Sequence, residues 1–266
     1  MECDTPAPVY QYSSIARTGF VVPSQYDKYR PSYPDQVVEY LIGSLEIPHG
    51  ACILELGAGT GKLTELLSSH ELDFRIIAVE PHDDMRAFLR DKHLRNVSVI
   101  DGLAENIPLS DEAVNCVLVA QAFHWFANET SLREIHRVLR PDGGLGMVWN
   151  IEDYNSPWSL RPQTDWESQL RELIWSLDDG QPRFKSEAWQ GVFTDPKIEC
   201  LRLHQVIDVA DLESRIFTYC MLQNASDDQR KKHRKRVRRI LQEAGNAGDD
   251  QIEMRTSVIA AWTRKT

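Results

Sequence analysis

The sequence predicts an α/β fold, a doubly wound and mostly parallel sheet. Three observations carry this expectation. Between residues 51 and 150, short Val/Ile/Leu-rich runs alternate with amphipathic segments, and runs that are apolar throughout are strands covered on both faces. A glycine-dense turn, Glu55-Leu-Gly57-Ala-Gly59-Thr60-Gly61, joins the first run to the first helical segment. The second run ends in an acid, Glu80, where a ligand-binding carboxylate sits in such sheets.

Residues 1–20 are polar and contain proline without a period, which predicts a flexible N-terminal arm. Asp35–Leu45 reads as a helix because Val37, Val38, Leu41 and Ile42 share one stripe, and Pro48-His49-Gly50 breaks the chain after it. The expected alternation is then strand Ala51–Leu56, helix Thr60–Ser69, strand Arg75–Glu80, helix Asp83–Lys92 capped by Asp83, and strand Val97–Asp101. A turn at Ser110-Asp111-Glu112 precedes strand Val114–Ala120 and helix Asn128–Leu139. Pro141-Asp142-Gly143-Gly144 ends that helix, and Leu145–Trp149 is a fifth strand. Beyond residue 150 the expectation is an amphipathic segment Asp165–Leu177, strands Glu199–Val206 and Ile252–Trp262, and helices Asp211–Gln223 and Asp227–Ala244 between them. Trp158, Trp166, Trp175 and Trp189 predict an apolar cap over the sheet edge.

The chain has 266 residues and a formal net charge of −10. Arg230–Arg239 reads RKKHRKRVRR and holds eight of the 30 Lys and Arg, so the rest carries 22 basic against 40 acidic side chains, a net of −18. An acidic body disfavours nucleic acid as a partner. The basic run reads either as a nucleic-acid or nuclear-localisation patch or as a solvated helix face, with Val237, Ile240 and Leu241 turned inward. The five cysteines form no Cys-x-x-Cys pair and the histidines show no ligand spacing, so neither a disulfide framework nor a metal site is expected. No apolar run approaches the ~18 residues of a membrane span, and Met1–Phe20 lacks the basic end and apolar core of a secretory signal. A cytoplasmic protein without a membrane partner is expected.

Glycines in the turn let the backbone bend sharply and approach a ligand closely, and the helix after it offers free N–H groups. The spacing discriminates between ligands. A dinucleotide fingerprint needs Gly at the sixth position, but Lys62 stands there, which disfavours an NAD oxidoreductase, and the phosphate-loop pattern also fails. Acid-x-Gly-x-Gly-x-Gly fits instead. Glu80 could accept hydrogen bonds from two ribose hydroxyls, and Pro81 and Met85 would give an adenine flat apolar surfaces.

Acid-x-Gly-x-Gly-x-Gly is the first motif of class I S-adenosylmethionine (SAM) methyltransferases. With VEPHDDM (79–85), DGLAENIPLSDEAV (101–114), AQAFHWF (120–126), LREIHRVLRPDGGLGMVWN (132–150) and MRTSV (254–258) in that order, the chain resembles the methyltransferase type 11 group. It is most similar there to small-molecule enzymes related to the trans-aconitate methyltransferases. The resemblance covers residues 20–150 well and the last third loosely. It implies a Rossmann-like seven-stranded sheet of order 3-2-1-4-5-7-6 with strand seven antiparallel, a helical N-terminal lid and a C-terminal cap. Residues 21–266 would form one such domain, with a core at 50–150 and the cap and last strands at 151–266.

The resemblance also implies roles. Gly57, Gly59 and Gly61 would cradle the methionine part of SAM, and Glu55 would meet its amino group. Glu80 would hold the ribose, the Ala104 N–H would face the adenine, and Gln121 would lie under the methionyl moiety. Relatives carry Asp before the Ala-Glu pair to bind the adenine amino group, whereas Leu103 stands here, leaving Glu105 or a carbonyl to substitute. The segment from Tyr26 to Pro34 matches one that closes over SAM in relatives, where Tyr29 or Arg30 would meet the cofactor carboxylate. Tyr26, His124, Trp125 and Trp149 are candidates for contact with the methyl acceptor. His124 is read either as a general base or as a histidine that props its loop.

The expected function is SAM-dependent methyl transfer to a small organic acceptor, with oxygen the first expectation and sulfur or nitrogen the alternatives. The product would be S-adenosylhomocysteine and the protein a monomer or homodimer. An RNA, DNA or protein acceptor, or a non-catalytic SAM-binding module, are the rival readings.

Overall fold

The computed structural model describes residues 22–152, 164–176, 193–244 and 250–266. The predicted N-terminal arm, Trp158 and Trp189 lie outside them. In chain order the elements are α1 (Pro23–Tyr29), α2 (Asp35–Ser44), β1 (Cys52–Leu56), α3 (Lys62–Ser68), β2 (Arg75–Val79), α4 (Asp83–Asp91) and β3 (Val97–Ile100). There follow β4 (Val114–Ala120), a 3-10 turn at Phe123–Trp125, α5 (Glu129–Val138), β5 (Leu139–Glu152) and α6 (Asp165–Trp175). The chain ends with β6 (Lys197–Asp208), α7 (Val209–Ile216), α8 (Cys220–Gln223), α9 (Asp227–Ala244) and β7 (Gln251–Arg264).

The strands form one sheet of order β3-β2-β1-β4-β5-β7-β6. β1 to β5 pair in parallel with one another, and β7 runs antiparallel to both β5 and β6. This is the order the resemblance implies. All five residues of β1 are buried, because helices cover both faces. One face packs Leu54, Val117, Val119 and Met147 under Leu132, Ile135 and Val138 of α5. The other packs Ile53, Ile76, Leu118 and Val148 under α2 and α3 through Val38, Leu41, Leu63 and Leu67. A third cluster joins α6, α7 and α9 to the ends of β6 and β7, and Trp166 of the predicted cap is buried there.

Several local expectations are corrected. Asp83 is the first residue of α4, not its cap. Glu80 accepts the His82 N–H at 2.8 Å, which keeps His82 extended, and the Asp83 carboxylate bonds Arg86 instead. Helix α3 starts at Lys62 rather than Thr60, because Gly61 before it is left-handed at φ 88°. The turn predicted at Pro141–Gly144 is drawn into β5, which begins at Leu139 opposite Val114 and shifts register before Gly144 meets Cys116. Gly143 allows this: a Cβ there would lie 3.0 Å from the carbonyl oxygens of Arg140 and Asn115. The helix predicted at Asp211–Gln223 is two, since the Thr218 hydroxyl bonds the Arg215 carbonyl at 2.6 Å and competes with the helical ladder.

The basic run lies on α9 with Val237, Ile240 and Leu241 buried, as the solvated-face reading expects. Arg234 and Arg238 bond the two oxygens of the buried Glu213 at 3.0 and 2.8 Å.

Truncating Leu54 removes a fully buried side chain at the centre of the first cluster. Leu54→Ala is expected to cost about 2–5 kcal/mol, read as a lower urea midpoint with an unchanged transition slope.

Candidate functional site

The site is built at the carboxyl ends of β1, β2 and β4. The turn after β1 is pinned to β2: the N–H groups of Gly57 and Ala58 donate to the Val79 carbonyl at 2.9 and 3.1 Å. Gly57, Gly59 and Gly61 all have left-handed backbone, with φ of 69°, 58° and 88°. Their surroundings differ. A Cβ on Gly57 would meet Ala122 at 2.6 Å, and one on Gly61 would meet the Leu89 side chain at 2.2 Å. A Cβ on Gly59 would point into open space, with nothing within 4 Å. Two of the glycines therefore serve packing, and the third leaves room.

That room is a cleft of about 700 Å³, counting its open mouth. Gly57, Gly59, Glu80, Pro81 and Met85 line one side, and Gly102, Leu103, Ala104 and Glu105 another. Ala120, Gln121, Ala122, Trp125 and Phe126 form the wall after β4, and Tyr26 reaches in from α1.

Two carboxylates anchor the site. Glu80, 6% exposed, accepts the Gly59 N–H through Oε2 and the His82 N–H through Oε1, both at 2.8 Å. Burial raises its pKa, while those two N–H bonds and the Arg86 guanidinium oppose the shift. Each oxygen keeps a lone pair for a ligand hydroxyl. Glu55, 1% exposed, accepts the Thr64 hydroxyl at 2.6 Å. Burial pushes its pKa up to about 8, against the Thr64 bond and reinforced by the Glu80 charge. Thr60 adds a buried hydroxyl with no hydrogen-bond partner among the described residues. Gln121 holds a left-handed φ of 54° and donates from Nε2 to the Asn150 carbonyl at 2.7 Å.

Residues 54–147 match the family model of a methyltransferase domain. Over these residues the chain carries a methyltransferase domain, and its strand order is that of class I, SAM-dependent methyltransferases, to which it is similar. An uncharacterized methyltransferase-like protein of Schizosaccharomyces pombe is 40% identical over 171 residues, 64% of this chain and 62% of the relative. An uncharacterized methyltransferase of Mycobacterium tuberculosis is 43% identical over 157 residues, 59% of this chain and 58% of the relative. The chain thus spans about three fifths of the length of these curated relatives. A solved structure from Anaeromyxobacter dehalogenans, provisionally named a type II methyltransferase, shares the fold with a TM-score of 0.64 at 20% identity, covering 89% of this chain and 97% of that one.

Ten of the residues singled out by sequence meet at one cleft: Tyr26, Gly57, Gly59, Glu80, Pro81, Met85, Ala104, Glu105, Gln121 and Trp125. Glu55 and Gly61, at the two ends of the glycine turn, do not line the cleft. His124 and Trp149 do not line it either; His124 tilts against Trp125 with ring centroids 5.0 Å apart. Tyr29 faces a different hollow, beside Arg215 and Asp208. Arg30 donates to the Thr218 hydroxyl at 2.8 Å and lies 4.2 Å over the Tyr219 ring. Glu105 is held by the Asn128 amide at 3.0 Å. Phe126, read with Trp125 as pocket wall or core, lines the cleft, whereas sequence reasoning missed Gly102 as a wall, and also Arg86. Arg86 Nη1 donates to the Glu80 carbonyl at 2.8 Å and to Asp101 at 3.1 Å, tying the ends of β2 and β3 together. A single arginine in an amphipathic helix carries no signal for such a role.

These residues fit SAM. Gly59 leaves the space a side chain would fill, and Glu80 presents free acceptor positions beside it.

Two outcomes follow from the geometry. Gly61→Ala must displace Leu89 and is expected to lower the melting temperature by several degrees. Gly59→Ala should cost only about 1–2 kcal/mol for its left-handed backbone, yet abolish cofactor binding in titration calorimetry. Glu55 supplies a pH dependence. Its folded pKa of about 8 lies above the ordinary 4.5, so the folded state holds a proton that the unfolded chain releases between those values. That contribution to stability is present in full below pH 4.5 and lost as pH rises towards 8. Urea melts of Glu55→Gln across that range should be flatter than those of wild type.

Proposed function

We propose that the chain is a SAM-dependent methyltransferase acting on a small organic acceptor, with oxygen the first candidate atom and sulfur or nitrogen next. The observation that carries the reading is the bare face of Gly59 set against the backbone-held carboxylate of Glu80. When bound, SAM supplies a sulfonium-activated methyl group that an acceptor lone pair takes in line, leaving S-adenosylhomocysteine.

The residues would divide the work as follows. Glu80 accepts the ribose hydroxyls, and Pro81, Met85 and Leu103 sandwich the adenine beside the Ala104 N–H. Glu55, at one end of the turn, would meet the cofactor ammonium through a bridging water. Gln121 supports the methionyl chain, while Tyr26 and Trp125 close the acceptor side and exclude water. Much of the acceleration in such a reaction comes from holding the two reactants in line. His124 would act on the acceptor only after its loop turns towards the cleft, and a carboxylate acceptor would need no base.

A small acceptor is supported by a cleft that α1 partly covers and by the acidic balance of the chain outside residues 230–239. The basic helix α9 packs in the third cluster, and two of its arginines are spent on Glu213. We place the protein in the cytoplasm: the four described cysteines are free thiols, as a reducing compartment allows. No helix among the described residues is long and apolar enough to cross a membrane.

Titration calorimetry with S-adenosylhomocysteine should show one site per chain, and Glu80→Ala should weaken it by about tenfold or more, the loss of charge-assisted hydrogen bonds. A folded wild-type protein that binds neither SAM nor S-adenosylhomocysteine would refute the reading.

A further inference from the structure

Lys62 broke the dinucleotide spacing in the sequence, and neither the cleft nor the cofactor roles absorb it. Its position is costly. It is the first residue of α3, where a cation opposes the helix dipole, and it is partly buried, so that desolvation lowers its pKa. The side chain does not turn to solvent. Nζ donates to the Asp27 carbonyl at 2.6 Å, 35 residues back in the chain. Asp27 lies in the last turn of α1, whose carbonyls lack helical partners and carry the negative end of the dipole. Lys92, just beyond α4, bonds the Asp27 carboxylate at 2.9 Å and Glu65 of α3 at 3.1 Å. The residue before Asp27 is Tyr26, which lines the cleft. The residues before Lys62 are the glycine turn.

We propose that Lys62 is a positioning residue that clamps α1 over the cofactor and sets the rate at which cofactor enters and leaves. The inference rests on the methyltransferase reading for the ligand, though not for the clamp itself. Neither Lys62 nor Asp27 lines the cleft, so the bond between them belongs to the closed lid and not to the ligand. It persists with or without cofactor contact and breaks only when α1 lifts. Its loss therefore lowers the opening barrier in both directions and leaves the balance of bound and free protein nearly unchanged. Arg215 Nε, bonded to the Tyr29 carbonyl at 3.0 Å, and Arg30 Nε, bonded to Thr218, tie the same C-terminal end of α1 to α7 and the turn after it. The Lys62 bond is a direct attachment to the glycine turn's own helix, beside the indirect one that Lys92 makes through Asp27 and Glu65.

Stopped-flow tryptophan fluorescence with S-adenosylhomocysteine tests this on the full chain. Lys62→Met should raise both the association and the dissociation rate by about tenfold, as expected for losing one charged hydrogen bond, with Kd changed less than about twofold. Lys62→Arg, which still donates, should restore near wild-type rates. Hydrogen exchange of residues 23–29, measured without ligand, should quicken in Lys62→Met and not in Lys62→Arg. Unchanged rates in a folded Lys62→Met variant, or a Kd that rises through dissociation alone, overturn the proposal. If wild type does not bind S-adenosylhomocysteine, the methyltransferase reading falls and the hydrogen exchange still decides the clamp.

Discussion

The site depends on one junction, the carboxylate of Glu80 taking the Gly59 N–H while the glycine turn donates to the Val79 carbonyl. It locks the ends of β1 and β2 to each other. A turn of three left-handed residues would otherwise be free to take many conformations, since glycine loses more backbone freedom on folding than any other residue. The junction also fixes the carboxylate itself, through the His82 N–H on its second oxygen. Arg86 then carries the constraint outward to Asp101 and the loop that offers Ala104 and Glu105 to the cleft. Removing the acid would therefore release the glycine turn and the His82 bend together, while the Arg86 tie, made to the Glu80 main chain, would remain.

Much of this was legible in the sequence because the signals were local. The apolar runs of β1, β2 and β4 each follow from burial on two faces, and the glycine spacing follows from a turn that must pass close to Ala122 and Leu89. What the sequence hid was long-range or competitive. The turn at Pro141–Gly144 became strand because Val114 offered a partner to Leu139, and no window of sequence contains both. The break before α8 came from one threonine hydroxyl outcompeting a helical bond. Tyr29 and Arg30 are adjacent in sequence, yet Tyr29 faces a separate hollow while Arg30 packs on Tyr219. Neighbours on a short helix and its end diverge in direction, and a motif match does not record which way each points.

The charge asymmetry resolves into packing. The basic run keeps an apolar stripe against α6 and α7, and Glu213 is buried beneath it with two arginines. A buried carboxylate without cations would be expensive. Part of the basic excess is thus the counterpart of one internal acid, and it lies in a different hydrophobic cluster from the cleft walls.

The costs in this molecule are not spread evenly. Left-handed backbone at Glu46, His93, Asn96 and Glu112 falls on exposed residues, where turns tolerate it, and at Asp73 on a half-buried turn residue whose carboxylate is held by Arg95 and Asn96. Gln121 is different: it is partly buried, held by the Val148 carbonyl at its N–H and the Asn150 carbonyl at its amide, and it faces the cleft. Glu55 keeps a carboxyl in a place that raises its pKa to about 8, Glu80 is buried at its side, and Lys62 is desolvated at the start of a helix. Each could be relieved by an ordinary substitution: glutamine for Glu55, an exposed acid for Lys62, glycine for Gln121. Stability alone selects for none of them. Their concentration at the carboxyl ends of β1, β2 and β4 is what strain retained for a ligand looks like, and it marks the same cleft that the glycine spacing marks independently.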